Sequence, residues 1–130
     1  MNKSLQRLKL VRQRIENACI ASGRQPGDVS LLAVSKRHSA EKVIALNSLG
    51  VSAFGENQLQ EALSKLGELP DLDLQWHFIG TIQSNKTRAI AENFDWVQSV
   101  DRQKILKRLS TQRPEHLSLI HISEPTRPTR

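Results

Sequence analysis

Four short apolar runs recur along this chain at intervals of about 20 residues, and each is followed by an amphipathic segment. The runs are SLLAVS (30–35), VSAFGE (Val51–Glu56), LQWHFIG (Leu74–Gly80) and DWVQSV (Asp95–Val100). After the first, Ser39 can cap a helix carrying Val43, Ile44 and Leu46, which Gly50 stops. After the second, Asn57–Gly67 places Leu59, Ala62, Leu63 and Leu66 on one face. Asn57 can cap that helix with Gln60 three residues on, and Glu61 and Lys65 form an i,i+4 pair. After the third, Ser84 or Asn85 starts a helix through Ile90; after the fourth, Asp101 can cap one with Ile105 and Leu109. A leading helix precedes them all, with Leu5, Leu8, Val11, Ile15 and Ala18 on one face and Gly23 at its end.

Alternating strand–helix units imply an α/β fold with a parallel sheet covered by helices. Two architectures use that pattern: an open doubly wound sheet and a (β/α)8 TIM-type barrel. A dinucleotide-binding sheet calls for a Gly-rich turn after its first strand. Here that strand ends in SKRHS, without glycine, which favours the barrel. Four units cannot close eight strands. The expectation is either a half-barrel-sized open sheet or the N-terminal half of a barrel, with residues 1–117 as the barrel portion. A half barrel leaves two open strand edges, so aggregation or a partly ordered monomer is expected.

The last segment, QRPEHLSLIHISEPTRPTR, loses periodicity after Ile122. Residues 118–130 are expected to be a non-native, disordered tail, because SLIHISEPTRP resembles a translated sequencing adaptor. LSLIHIS nevertheless has a strand-like composition.

The chain has 130 residues, enough for one domain with a core. No apolar run approaches the roughly 20 residues that span a membrane, and the charged N-terminus is unlike a secretory signal. A cytoplasmic protein with no membrane partner is expected. The single cysteine, Cys19, lies on the apolar side of the leading helix and is expected to be a buried core thiol. The net charge of +6 is spread along the whole chain, and no nucleic-acid motif accompanies it, so no nucleic-acid partner is expected.

The strand–helix junctions carry the polar groups: Ser35, Lys36, Arg37 and His38; Glu56 and Asn57; Gly80, Gln83, Ser84 and Asn85; Ser99 and Asp101. In a parallel barrel these junctions share one rim, where active sites lie. Lys36 stands out. Burial at a strand end and the cationic neighbours Arg37 and His38 would favour its neutral, nucleophilic amine, whereas a solvated strand-end charge is the plain alternative. His77 has no partner at metal-ligand spacing, so no metal site is expected. It reads as a partly buried histidine lining the barrel.

Taken together, LLAVSK, FGENQLQEALSKL, WHFIGTIQSNK and FDWVQSVDR resemble the pyridoxal phosphate homeostasis proteins, in order and over residues 5 to 117. The resemblance implies a barrel like the N-terminal domain of alanine racemase with the leading helix outside. It implies that Lys36 forms the internal aldimine with pyridoxal 5′-phosphate (PLP), and that Asn57, His77 and Gly80 lie near the cofactor. It also implies a monomeric carrier and regulator of the cofactor, with no catalytic residues and no turnover. The alternative on the same barrel is an amino-acid racemase. That chemistry requires a second acid/base, which the related racemases supply as a tyrosine, and this chain contains no tyrosine. The family's phosphate-holding residues and the arginine at the pyridine nitrogen belong to a second half with no counterpart here. Weak cofactor binding by the chain as written is therefore expected.

Overall fold

Backbone conformation follows the apolar periodicity closely. The computed structural model describes residues 2–98, 100, 102–115, 117 and 120–122. In chain order the elements are α1 (Asn2–Ala21), β1 (Leu32–Val34), α2 (Ala40–Ser48), β2 (Ala53–Glu56), α3 (Leu59–Glu68), β3 (Gln75–Phe78), α4 (Thr87–Asn93), β4 (Trp96–Val97), α5 (Gln103–Gln112) and β5 (His121–Ile122). The five strands are parallel and lie side by side in sequence order.

That order decides between the two architectures. A doubly wound sheet reverses its strand order at a switch point and carries helices on both faces. Here the order never reverses, so right-handed crossovers bring successive helices to the same face. The fold is a partial (β/α) barrel with a leading helix. Its register sets two kinds of row across the sheet. Phe54 is level with Trp76, and Glu56 with Phe78, which is itself level with Val97. Phe54, Trp76, Phe78 and Val97 join one buried cluster with Val43, Ala62, Ile90, Phe94, Ile105 and Leu109 from the helices and the strand connections. The other rows belong to the opposite, concave face, where Val34, Gly55, His77 and Trp96 stand level with one another.

Several ends differ from expectation. The strands are shorter than the apolar runs, although single ladder bonds run past their ends, as from the Ser35 amide to the Gly55 carbonyl. Asn57 does not cap α3: the helix starts after Gln58, whose side chain makes no capping bond. Gly67 lies inside α3 rather than ending it. Ser84 and Asn85 form a 3₁₀ turn with Lys86, and α4 follows directly. Ser39 does cap α2, its hydroxyl accepting from the Lys42 amide at 3.3 Å. Gly23 and Gly50 adopt positive φ, 76° and 96°, and end their helices as glycine permits.

Of the leading helix's apolar stripe, Leu8 is buried but Val11 and Ala18 are exposed, so α1 touches the body along a narrow seam. Arg12 fixes that seam, donating to the Leu49 carbonyl at 3.2 Å. Cys19 is a buried free thiol. At the other end, β5 pairs with β4 within the strand-like stretch of the tail. Residues 123–130, Ser99 and Asp101 lie outside the described residues, so the disordered tail and the Asp101 cap are not addressed by the structure.

Candidate functional site

The C-terminal ends of β1, β2 and β3 bring the candidate residues onto one edge of the sheet. Lys36 stands two residues beyond Val34, in the turn that follows β1. Asn57 stands two residues beyond Gly55 and Ile79 two beyond His77, so continuing the register sets Asn57 and Ile79 level on the rim. His77 lies one row deeper, and its ring stacks on Trp96 with centroids 5.2 Å apart and planes 6° from parallel. Gly80 packs against Asn57 so tightly that a Cβ there would come within 2.5 Å of the Asn57 carbonyl oxygen. Asn57 and Gly80 also line a pocket of about 610 Å³ with Thr81, Gln83 and Lys86. Lys36 and His77 do not line it.

Lys36 itself corrects one expectation. Lys36 is exposed, not desolvated at the strand end. The charge that is buried lies beneath it. Ser35 and Glu56 point from their strands toward the helices, and Lys65 of α3 reaches between them. Ser35 is 3% exposed, Glu56 0% and Lys65 5%. The Lys65 ammonium donates to Glu56 Oε2 and to the Ser35 carbonyl, each at 2.7 Å. The Ser35 hydroxyl donates to the same Glu56 oxygen. Glu61 lies 3.6 Å from Lys65 and accepts a hydrogen bond from the Arg37 amide.

Sequence reasoning missed this network. The sequence offered Lys65 as the i,i+4 partner of Glu61, which it is, but its place three residues after Ala62 also puts it on the sheet-facing side of α3. Glu56 was visible as a junction residue, and its parity with Phe54 was the available sign that it faces inward. Among the described residues, no cluster of histidine, cysteine, aspartate or glutamate could hold a metal ion. No helix of the described residues is long and apolar enough to cross a membrane.

These residues fit part of a pyridoxal cofactor. An open primary amine, a stacked aromatic pair and a close-packed Asn57–Gly80 corner share one edge of the sheet. No basic side chain is hydrogen-bonded into a phosphate-sized cradle beside Lys36 among the bonds described, so the fit covers the aldehyde and ring and not the phosphate.

No family model matches the chain. Among curated proteins, the pyridoxal phosphate homeostasis protein of Pseudomonas aeruginosa is 53% identical over 122 residues, covering 94% of this chain and 53% of that protein. Those of Haemophilus influenzae and Escherichia coli are 44% and 41% identical, covering 88% and 94% of this chain and 49% and 53% of theirs. Among solved structures, PipY of Synechococcus elongatus with PLP bound superposes with a TM-score of 0.65 at 42% identity, over 75% of this chain and 47% of PipY. A protein described as unknown from Bifidobacterium adolescentis superposes at 0.75 with 28% identity, over 83% of this chain and 48% of its own. The chain spans about half the length of the curated relatives it matches, and over that half it is a relative of the pyridoxal phosphate homeostasis proteins.

Proposed function

We propose that this chain supplies the cofactor-bearing lysine, Lys36, of a PLP-binding homeostasis protein. In this reading the whole protein stores and delivers the cofactor without turnover, as a cytoplasmic monomer. The observation that carries the reading is the place of Lys36: an exposed lysine in the turn that follows β1, at the same end of the sheet as Asn57 and Gly80. Relatives that share this half carry the homeostasis name, and one neighbour was solved with PLP bound.

When bound, the cofactor supplies an aldehyde that condenses with a primary amine: a C=N bond forms and the carbonyl oxygen leaves as water. The protein's part is to present the Lys36 amine and to offer a flat surface for the ring. The stacked His77–Trp96 pair supplies the aromatic side chains for that contact, one row below the rim. The exposure of Lys36 leaves its nitrogen accessible to a small aldehyde and to the water that reverses the condensation. A carrier needs that reversibility, whereas a racemase needs a second proton donor opposite.

The test is chemical trapping. The chain is incubated with PLP and treated with borohydride, whose hydride, with a proton from water, turns C=N into a stable secondary amine. Peptide mass mapping then locates the label. Lys36 is expected to carry at least about tenfold more label than the average of the other lysines, because only there do neighbouring groups hold the aldehyde near the amine. Even labelling of all lysines would overturn the proposal. The Lys36→Ala chain serves as the blank.

A further inference from the structure

We infer that Glu56, Glu61 and Lys65 are positioning residues that set the backbone on either side of Lys36. This rests on the reading of Lys36 as the cofactor lysine and adds how the fold fixes it.

Lys36 lies between two anchored peptides. On its N-terminal side, the Ser35 amide donates to the Gly55 carbonyl at 3.0 Å, continuing the β1–β2 ladder. The Ser35 carbonyl accepts from the buried Lys65 ammonium at 2.7 Å, and the Ser35 hydroxyl donates to Glu56. On its C-terminal side, the Arg37 amide donates to the Glu61 carboxylate. The His38 amide closes the turn onto the Ser35 carbonyl at 3.0 Å. Arg37 takes a φ of 65°, a left-handed conformation that a non-glycine residue holds only when its surroundings enforce it.

The acidic and basic side chains of this clamp all come from the end of β2 and from α3, the next strand–helix unit. Lys65 also meets both carboxylates, Glu56 at 2.7 Å and Glu61 at 3.6 Å, so one ammonium ties the two anchors together. A buried ion pair is a poor way to add stability, since an apolar pair of similar volume often does as well. Its distinguishing property is fixed geometry. Here that geometry is applied to the two peptides flanking the exposed Lys36. A fixed Cα shortens the search of the amine for an aldehyde resting on the concave face, although four side-chain torsions remain free.

The experiment compares the unaltered 130-residue chain with Glu61→Ala, Glu61→Gln and Lys65→Met. Glu61 is partly exposed, so its variants should fold even where Lys65→Met does not. Three readouts are taken: amide hydrogen exchange at Arg37, the share of borohydride-trapped PLP on Lys36, and the induced circular dichroism of the bound chromophore. Glu61→Ala should speed exchange at Arg37, cut the Lys36 share several-fold, and weaken the induced dichroism, with far-ultraviolet dichroism unchanged. Glu61→Gln, which keeps an acceptor oxygen, should restore all three. If Glu61→Ala speeds exchange but leaves the Lys36 share and the induced signal intact, the clamp is merely structural and the positioning role is overturned. If exchange itself is unchanged, the clamp does not exist. The unaltered chain alone judges the functional reading: if it shows no preference for Lys36, that reading falls, and the positioning role falls with it.

Discussion

The Lys65 ammonium sits 2.7 Å from Glu56 Oε2 and 2.7 Å from the Ser35 carbonyl, so one buried cation joins β1, β2 and α3. Its side chain is 4% exposed and that of Glu56 is 0%. Removing one member of such a pair leaves the other charged and dry, which typically costs about 3–5 kcal/mol. Lys65→Met should therefore destabilise the chain by roughly that amount. Adding Glu56→Leu should recover part of the loss, because the stranded carboxylate goes with it. Urea unfolding of the single and double variants measures both. Equal stability of Lys65→Met and the unaltered chain would show that the pair bears no load.

Glycines 67 and 80 make an opposed pair of expectations. At Gly80 an added Cβ would lie 2.5 Å from the Asn57 carbonyl oxygen and 3.0 Å from its Cα, both backbone atoms that cannot swing away. Gly80→Ala should push the β2 and β3 ends apart and cost about 1–3 kcal/mol. At Gly67 nothing lies within 4 Å, and the residue is inside α3. Gly67→Ala should be neutral or stabilising by up to about 1 kcal/mol. In thermal melts Gly80→Ala should fall below the parent while Gly67→Ala stays level or rises, and a Gly80→Ala melt at or above the parent would refute the packing argument at residue 80.

How far these relationships could be read from the sequence differs from layer to layer. The strand–helix alternation was plain, since SLLAVS, VSAFGE and LQWHFIG each mix β-branched or aromatic residues with a following 3.6-residue pattern. The want of a glycine turn after the first strand favoured the barrel over the doubly wound sheet, and the sequential strand order agrees with it. The gathering of Lys36, Asn57 and Gly80 at one edge followed from topology, as all parallel junctions fall on the same side. What stayed hidden was sidedness at the ends of elements. Asn57 has every property of a helix cap, yet the chain needs one more residue to turn and α3 begins after Gln58. Lys65 looked solvated because lysine usually is, and only the carboxylate of Glu56, nine residues earlier and facing inward, makes its burial tolerable.

Cys19 offers a local test of how firmly α1 is attached. Its thiol is 2% exposed, although most of the residues around it on α1 are solvated. A thiol reagent can reach it only when α1 lifts from the body. Labelling should be slow in buffer and fast in denaturant. Arg12→Ala, which removes the bond to the Leu49 carbonyl, should speed labelling in buffer without a comparable fall in global stability. Labelling at the rate of a free peptide thiol would mean that α1 is not docked in solution.

Strand β1 borders the sheet, with β2 as its neighbour, and Val34 at its end is 46% exposed on the concave face. Parallel sheets are normally covered on both faces, and here the helices sit on one. An open edge strand that ends in an exposed valine is a template for pairing with another chain. The chain should therefore self-associate as its concentration rises. Val34→Lys places a charge on that edge and should shift the population toward monomer, because a second copy would have to desolvate the new ammonium. Sedimentation velocity across a concentration series reads the effect directly. An unchanged distribution in Val34→Lys would move the contact away from the β1 edge, leaving the exposed residues of α1, Leu10 and Ile20 at 62% each, as the surface to probe next.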